Sequence, residues 1–470
     1  MGMDAGTNDS AISAPDRGGW PLDRVRRATA IGPPVFPVRC SALFVCRLDR
    51  LLAFPRVRRT RRCDDRSRKG VGMFLKGYRM VDMCWMGGGP FTAQVLGDLG
   101  FDVIKVMEVP KASSGRRGGR STGSLIAEHN GIQMSHYRFG IRNARSIMLD
   151  LKSKEGLEVF HRLIEKTDVI TEGFRPGVAD RLGVGYEALR QINPGLVYAA
   201  ITGYGQTGPY RDKPGHDVNF ESIAGFIGMN GKAGGPPVVT GGLVADFAAG
   251  SMSAVTHILA ALLRREKTGQ GAYCDVSLTD AVFEANGTAI GPYLGSGVEM
   301  QRGEMYFSGF WPFNDVYETR DGAYLSLGAW EPYFFKNLCE AVGREDLVDI
   351  QWSVERRDYV RAELTALFKT RTQAEWVALF EPVDACVTPV NSPAQAANDP
   401  QMRARSMVVE LENPLHGKVP MVGSMFKLDG QPLEARHWMN YPGEHTGMVL
   451  QELGYSEGEV ADLQAQGFVR

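Results

Sequence analysis

Three side chains are candidates to move a proton or carry an acyl group: His216, Asp246 and Glu331. His216 lies in Pro214-Gly215-His216-Asp217, and an imidazole is a ready proton carrier near neutrality. A lone loop histidine is more often a surface or packing residue, so its neighbours decide. Asp246 precedes the small-residue run Phe247-Ala248-Ala249-Gly250-Ser251. Asp is a favoured N-cap, and the field of a helix N-terminus lowers a carboxylate pKa and keeps it ionised. That suits a nucleophile better than a proton acceptor. Glu331, in Trp330-Glu331-Pro332, reads on its own as an exposed turn acid. The sequence contains no HExxH, no serine-hydrolase elbow and no metal-ligand spacing, so no metal is expected.

Two glycine-rich turns could receive a ligand. Gly87-Gly88-Gly89-Pro90 falls between a strand-like and a helix-like run, with Glu108 about 20 residues further on, as in a dinucleotide fingerprint. The third fingerprint glycine would fall at Thr92, so that reading fits poorly and a close-packing turn fits better. A helix N-terminus still favours phosphate. The second turn, Thr202-Gly203-Tyr204-Gly205-Gln206-Thr207-Gly208-Pro209, follows a strand, and ligands of open α/β sheets bind at the carboxyl ends of strands.

The elements that must position these residues alternate. Residues 78–83 and 102–106 read as strands flanking a helix over 91–99, with Pro90 at its first position, which makes a βαβ unit and a parallel sheet. Ser153 is a candidate N-cap for a helix with Leu157, Phe160, Leu163 and Ile164 on its apolar face. Residues 169–171 and 196–202 are strand-like, and 247–265 reads as a long helix whose small first residues allow close approach. After about residue 300 the pattern changes. Residues 316–319 and 323–327 flank Arg320-Asp321-Gly322 as a hairpin, and Thr372 with Glu375 forms a capping box. The expected organisation is a non-core extension at 1–72, a large α/β domain at 73–275, a linker at 276–300, a smaller α+β domain at 301–405, and a segment at 406–470 whose helical end returns to the large domain.

Composition agrees with a multidomain enzyme. The 470 residues exceed what one core usually supports, with 43% hydrophobic and 23% charged residues. The apolar stretch at 258–263 is too short to span a bilayer, so no membrane partner is expected. Seven scattered cysteines without a CxxC pair argue against a disulfide framework and suit a reducing cytoplasm. Residues 1–70 hold 14 Arg and one Lys against seven acids, leaving the remainder acidic, so no nucleic-acid partner is expected of the body of the chain. The extension carries too many acids for a typical mitochondrial transit peptide. It reads as unstructured, or as preceding a true start near Met73, although a targeting role or a basic arm is open to it.

A series of stretches in chain order resembles the family III CoA-transferase and α-methylacyl-CoA racemase family. They are residues 97–105 (GDLGFDVIK), 150–153 (DLKS), 173–178 (GFRPGV), 181–183 (RLG), 203–209 (GYGQTGP), 244–247 (VADF) and 443–446 (GEHT). The resemblance implies a Rossmann-like large domain, a smaller domain and two subunits interlocked like chain links. It places the shared catalytic aspartate at Asp246. It places coenzyme A contacts at Gly87, Gly88, Leu149, Arg175, Arg181, Gly203, Tyr204 and Phe220, with coenzyme A entering as part of the substrate rather than as a resident cofactor. It also implies that Glu331 completes the site of a partner subunit.

Two chemistries compete within that family. In one, the aspartate attacks the thioester and a mixed anhydride carries the acyl group. In the other, a histidine and the aspartate exchange the α-proton through an enolate. Gly215-His216-Asp217, Trp330-Glu331-Pro332 and residues 384–390 are similar to the racemase branch, which is the favoured reading. The transferase is the alternative, and a non-catalytic CoA-binding protein a remote one. Three departures stand out. Met107-Glu108-Val109 occupies the usual place of a phosphate-binding Arg, which leaves Lys111, Arg116 or Arg117 as substitutes. The aromatic run 307–313 could narrow the acyl pocket. Residues 111–140 look longer than usual.

Overall fold

The computed structural model describes residues 74–84, 86–109, 142–413, 417–439 and 441–470. Six parallel strands form the main sheet: β1 Arg79–Asp82, β2 Asp102–Glu108, β3 Ala144–Leu149, β4 Val169–Glu172, β5 Val197–Thr202 and β6 Ala272–Ser277. Their order is β3-β2-β1-β4-β5-β6, the doubly wound arrangement. A parallel sheet covered on both faces needs apolar residues at nearly every position, and β5 is buried along its whole length. Alternate side chains feed opposite cores. Val197, Ala199 and Ile201 join Val255 and Ile258, while Tyr198 and Ala200 join Phe160 and Leu163. The expected strands are present with small shifts at their ends.

Helix α1, Gly88–Asp98, connects β1 to β2. It starts earlier than position 91, so Pro90 is its third residue and the glycines themselves form its first turn. Close packing demands this, since a Cβ on Gly89 would lie 2.3 Å from Cys84 Sγ. Helix α2, Lys154–Glu165, is capped as expected, with Gly156 N–H donating to Ser153 Oγ at 3.0 Å. Helix α3 spans Asp217–Ile223. The long helix expected over 247–265 begins instead as a π-helical segment, Val244–Ser251, and continues as α4, Met252–Thr268. Together they are long and apolar enough to cross a membrane, but Ala254, Val255, Ile258, Ala261 and Leu262 pack into the core against the sheet.

Strands β7 Asn314–Glu318, β8 Tyr324–Gly328 and β9 Val387–Pro389 form an antiparallel sheet with the expected hairpin turn at 320–322. Helices α5, Pro332–Val342, and α6, Gln373–Phe380, pack with it around a separate apolar cluster. Thr372 and Glu375 make the expected capping box, with N–H donations of 2.8 and 3.3 Å in the two directions. The aromatic run 307–313 divides. Trp311 and Phe313 are buried in this cluster, contrary to a pocket-lining role, whereas Phe307 is exposed and packs on Trp330 with ring centroids 4.9 Å apart.

The end of the chain returns to the main sheet through α7, Thr446–Glu452, and α8, Glu457–Ala465. It covers the edge of β3. Asp150 N–H donates to Phe468 O at 2.9 Å, Arg470 N–H to Met148 O at 3.2 Å and Met148 N–H to Thr446 Oγ1 at 3.1 Å. An edge strand closed in this way presents no row of unpaired amides.

Candidate active site

The strand order reverses between β1 and β4, and a crevice therefore opens at the carboxyl ends of those strands. The loops that leave β1, β4 and β5 there carry Gly87, Arg175, and Gly203 and Tyr204, and Gly88 opens α1 beside them. Residues far apart in sequence thus share one edge of the sheet because parallel strands all point the same way.

Asp246 is third in the π-helical segment, not its N-cap, which is Leu243. Only 9% of the residue is exposed. Gly87 and Gly88 lie directly against it. A Cβ on Gly87 would sit 3.4 Å from Asp246 Oδ1, and one on Gly88 would sit 2.6 Å from Asp246 O. Gly87 also needs its hydrogen side chain for its φ of 70°. The Ser251 hydroxyl lies 2.6 Å from both Asp246 O and Gly88 O, tying the π-helical segment to the first turn of α1. The glycine turn is therefore first of all the wall behind a carboxylate.

His216 is exposed and is the N-cap residue of α3, and its backbone N–H donates to Asn219 Oδ1 at 3.0 Å. The next residue, Asp217, accepts the Asp246 N–H at 2.8 Å through Oδ1. That bond brings His216 and Asp246 into one site. Burial, followed by the nearby Asp217 carboxyl, pushes the Asp246 carboxyl up to about 6, while the charge of His216 pulls it down. The sequence expectation of a lowered pKa is overturned. The field of a helix end falls off within a turn, and here the cost of burying the charge is larger.

The remaining expected residues lie on or after the strands of the same sheet. Phe220 is buried under two loops: a Cβ on Gly203 would lie 2.2 Å from Phe220 Cε1, and one on Gly215 2.6 Å from it. Tyr204 stands edge-on to the Phe220 ring at 5.2 Å. Leu149 ends β3 with its side chain fully buried, so it can offer a ligand only backbone. Arg175 and Arg181 are exposed after β4. Arg175 borders a cavity of about 370 Å³ with Glu172, Tyr198, Gln206 and Tyr273. Burial pushes the Glu172 carboxyl in that cavity up to about 7.

Glu331 belongs to the antiparallel layer. It is the exposed N-cap residue of α5, and its charge bears on Tyr333 and Cys386. Glu108 is tied to Lys152 at 2.7 Å. Lys111, Arg116 and Arg117, together with the expected extension at 1–72, lie outside the described residues. Among the described residues no group of three or more His, Cys, Asp and Glu side chains is arranged to hold a metal.

Sequence reasoning missed Asp217 and Glu221. Both are buried on α3, one turn apart. Two acids at i and i+4 repel on an exposed helix, and that unfavourable spacing was the available signal.

The model of CoA-transferase family III matches residues 75–446. The chain is 32% identical to the alpha-methylacyl-CoA racemase of Homo sapiens over 415 residues, covering 84% of this chain and 98% of that one. It is 29% identical to the succinyl-CoA:glutarate CoA-transferase of Homo sapiens over 402 residues, 84% and 90% of the two chains. Among solved structures, a CAIB/BAIF family protein from Brucella suis superposes with a TM-score of 0.67 at 26% identity, covering 81% of this chain and all of that one.

Proposed function

This chain is an enzyme of CoA-transferase family III, and from that premise we propose that it is an acyl-CoA racemase or epimerase. Its substrates are 2-methylacyl-CoA or related 2-substituted acyl-CoA thioesters, whose stereoisomers it interconverts by exchange of the α-proton. The observation that carries this reading is that the Asp217–Asp246 bond holds His216 close enough for its charge to act on a buried Asp246 carboxyl raised to about 6.

A thioester α-proton is weakly acidic, so its removal needs a positioned base and a stabilised enolate. A carboxylate with a raised pKa is a stronger base than an ordinary one and is still largely ionised at neutral pH. Ionised Asp246 takes the proton from one face and becomes a carboxylic acid. The electron pair left on the α-carbon delocalises onto the thioester oxygen. Protonated His216 then delivers a proton to the opposite face, which inverts the carbon and leaves a neutral imidazole. The reverse direction uses the two groups in exchanged roles. Arg175, Arg181, Gly203 and Tyr204 are proposed to hold the coenzyme A portion of the substrate.

The second reading is a CoA-transferase in which Asp246 attacks the thioester, and the 29% identical transferase supports it. One experiment separates the two. In deuterated water, without any carboxylic acid acceptor, the wild type should exchange the α-proton of a 2-methylacyl-CoA, and His216→Ala should abolish its epimerisation. Acyl transfer to an added acid without α-exchange, retained in His216→Ala, would replace the racemase by the transferase.

A further inference from the structure

Behind Asp246 lies a second carboxyl pair that neither chemistry uses. Asp217 is 7% exposed and Glu221 fully buried, and their side chains are hydrogen-bonded to each other one turn apart on α3. Two buried carboxyls in contact repel when both are ionised. Burial, and then the bond to Asp217, accordingly push the Glu221 carboxyl above the usual carboxylate range. Both carboxyls also accept from the chain that leads into Asp246. Asp217 Oδ1 accepts from Asp246 N–H at 2.8 Å, and Glu221 Oε1 accepts from Val244 N–H at 3.2 Å. The Thr240 hydroxyl lies 3.0 and 2.9 Å from the two Glu221 oxygens.

These bonds replace something the sequence lacks. The first N–H groups of any helix have no acceptor within it, and a side chain at the N-cap normally supplies one. Here the N-cap is Leu243, which has no acceptor to offer, and helical bonding begins only with Phe247 N–H to Leu243 O at 2.9 Å. Val244 and Asp246 are therefore fixed from outside, by α3, the same helix whose N-cap is His216. We propose that the Asp217–Glu221 carboxyl pair is a positioning device that caps the π-helical segment in trans and fixes the Asp246 carboxyl relative to His216 and Gly87.

This inference rests on Asp246 being the reacting carboxylate, but it holds for proton exchange and for acyl transfer alike. Whichever reaction the wild type performs serves as the assay. Gln at 221 keeps an acceptor for Val244 N–H and a polar group facing Asp217, whereas Leu keeps bulk and removes both. Glu221→Gln is expected to stay within about threefold of wild-type kcat, and Glu221→Leu to lose about 10- to 100-fold in kcat with little change in KM. Amide hydrogen exchange over residues 240–247 should speed up in Glu221→Leu and not in Glu221→Gln, which reads the same device without any substrate. If Glu221→Leu does not fold, Thr240→Val removes one anchoring bond and should show the same changes in smaller degree. Wild-type kcat and unchanged exchange in the Leu variant, or in Thr240→Val where Leu fails to fold, would overturn the proposal. A folded Gln variant as impaired as Leu would also overturn it. Failure of the racemase reading alone shows instead as absent α-exchange in the wild type and leaves these comparisons intact.

Discussion

Asp246 must be charged to accept a proton, yet only 9% of the residue is exposed. An enzyme that uses it as a base should lose activity as pH falls through about 6, where the carboxyl takes up a proton. Stability carries the opposite cost. An unfolded Asp ionises near 3.9, so between roughly pH 4 and 6 the unfolded chain has released a proton that the folded chain retains. Stability therefore declines as pH rises through that window, and the penalty is fully present above about 6, on the order of 3 kcal/mol. Asp246→Asn removes the charge. We predict an inactive protein with a higher Tm than wild type at pH 8 and no such gain at pH 4, read by thermal unfolding at both values. A Tm at pH 8 equal to or below that of wild type would show that the carboxylate is not held at a cost.

At the scale of elements, the π-helical segment and the glycine turn are fitted to each other. A π turn inside a helix is uncommon and tends to mark a functional site. It is accommodated here by missing side chains on both partners. A Cβ on Gly250 would meet Leu278 Cδ2 at 2.2 Å and Ala245 O at 2.4 Å, and one on Gly88 would meet Asp246 O at 2.6 Å and Ser251 Oγ at 3.1 Å. Gly88→Ala should cost about 1–3 kcal/mol by overpacking. It should also lower kcat by about tenfold or more through displacement of Asp246. Gly228→Ala, where a Cβ meets nothing within 4 Å, is the matched control. Thermal melts and turnover on the two variants check this, and equal behaviour would mean the turn merely tolerates small residues. The family-like stretches do comparable structural work. Asp98 holds Arg142 at 2.6 Å, and His445 accepts the Ser146 N–H at 3.3 Å beside the covered edge of β3.

At the scale of the whole molecule, Glu331 is exposed at the start of α5, where its charge acts on Tyr333 and Cys386. We propose that it completes the site of a second copy. Two inactive variants, Asp246→Ala and Glu331→Gln, then complement when produced together. In a hybrid dimer one site unites the intact Asp246 of one subunit with the intact Glu331 of the other. Random pairing should restore about a quarter of wild-type activity, since half the dimers are hybrids with one working site each. Sedimentation should show a dimer at assay concentration. No recovery on co-production, or an active monomer, would place the whole site within one chain.

The sequence by itself determined the alternation of strands and helices, the parallel sheet, the hairpin at 320–322, the caps at Ser153 and Thr372, and the carboxylate and histidine to watch. Those features are local or periodic, so a short window of residues specifies them. What only the tertiary structure decided is how distant segments meet. The protonation of Asp246 turned on burial and on Asp217, neither of which its own neighbours reveal. Gly88 proved to be packing for Asp246, Phe220 a clamp under two glycine loops, and Glu221 an acceptor for Val244. Each depends on a contact between segments brought together by parallel strands that end at one edge, and pKa values and close approaches are properties of such contacts rather than of any stretch of chain.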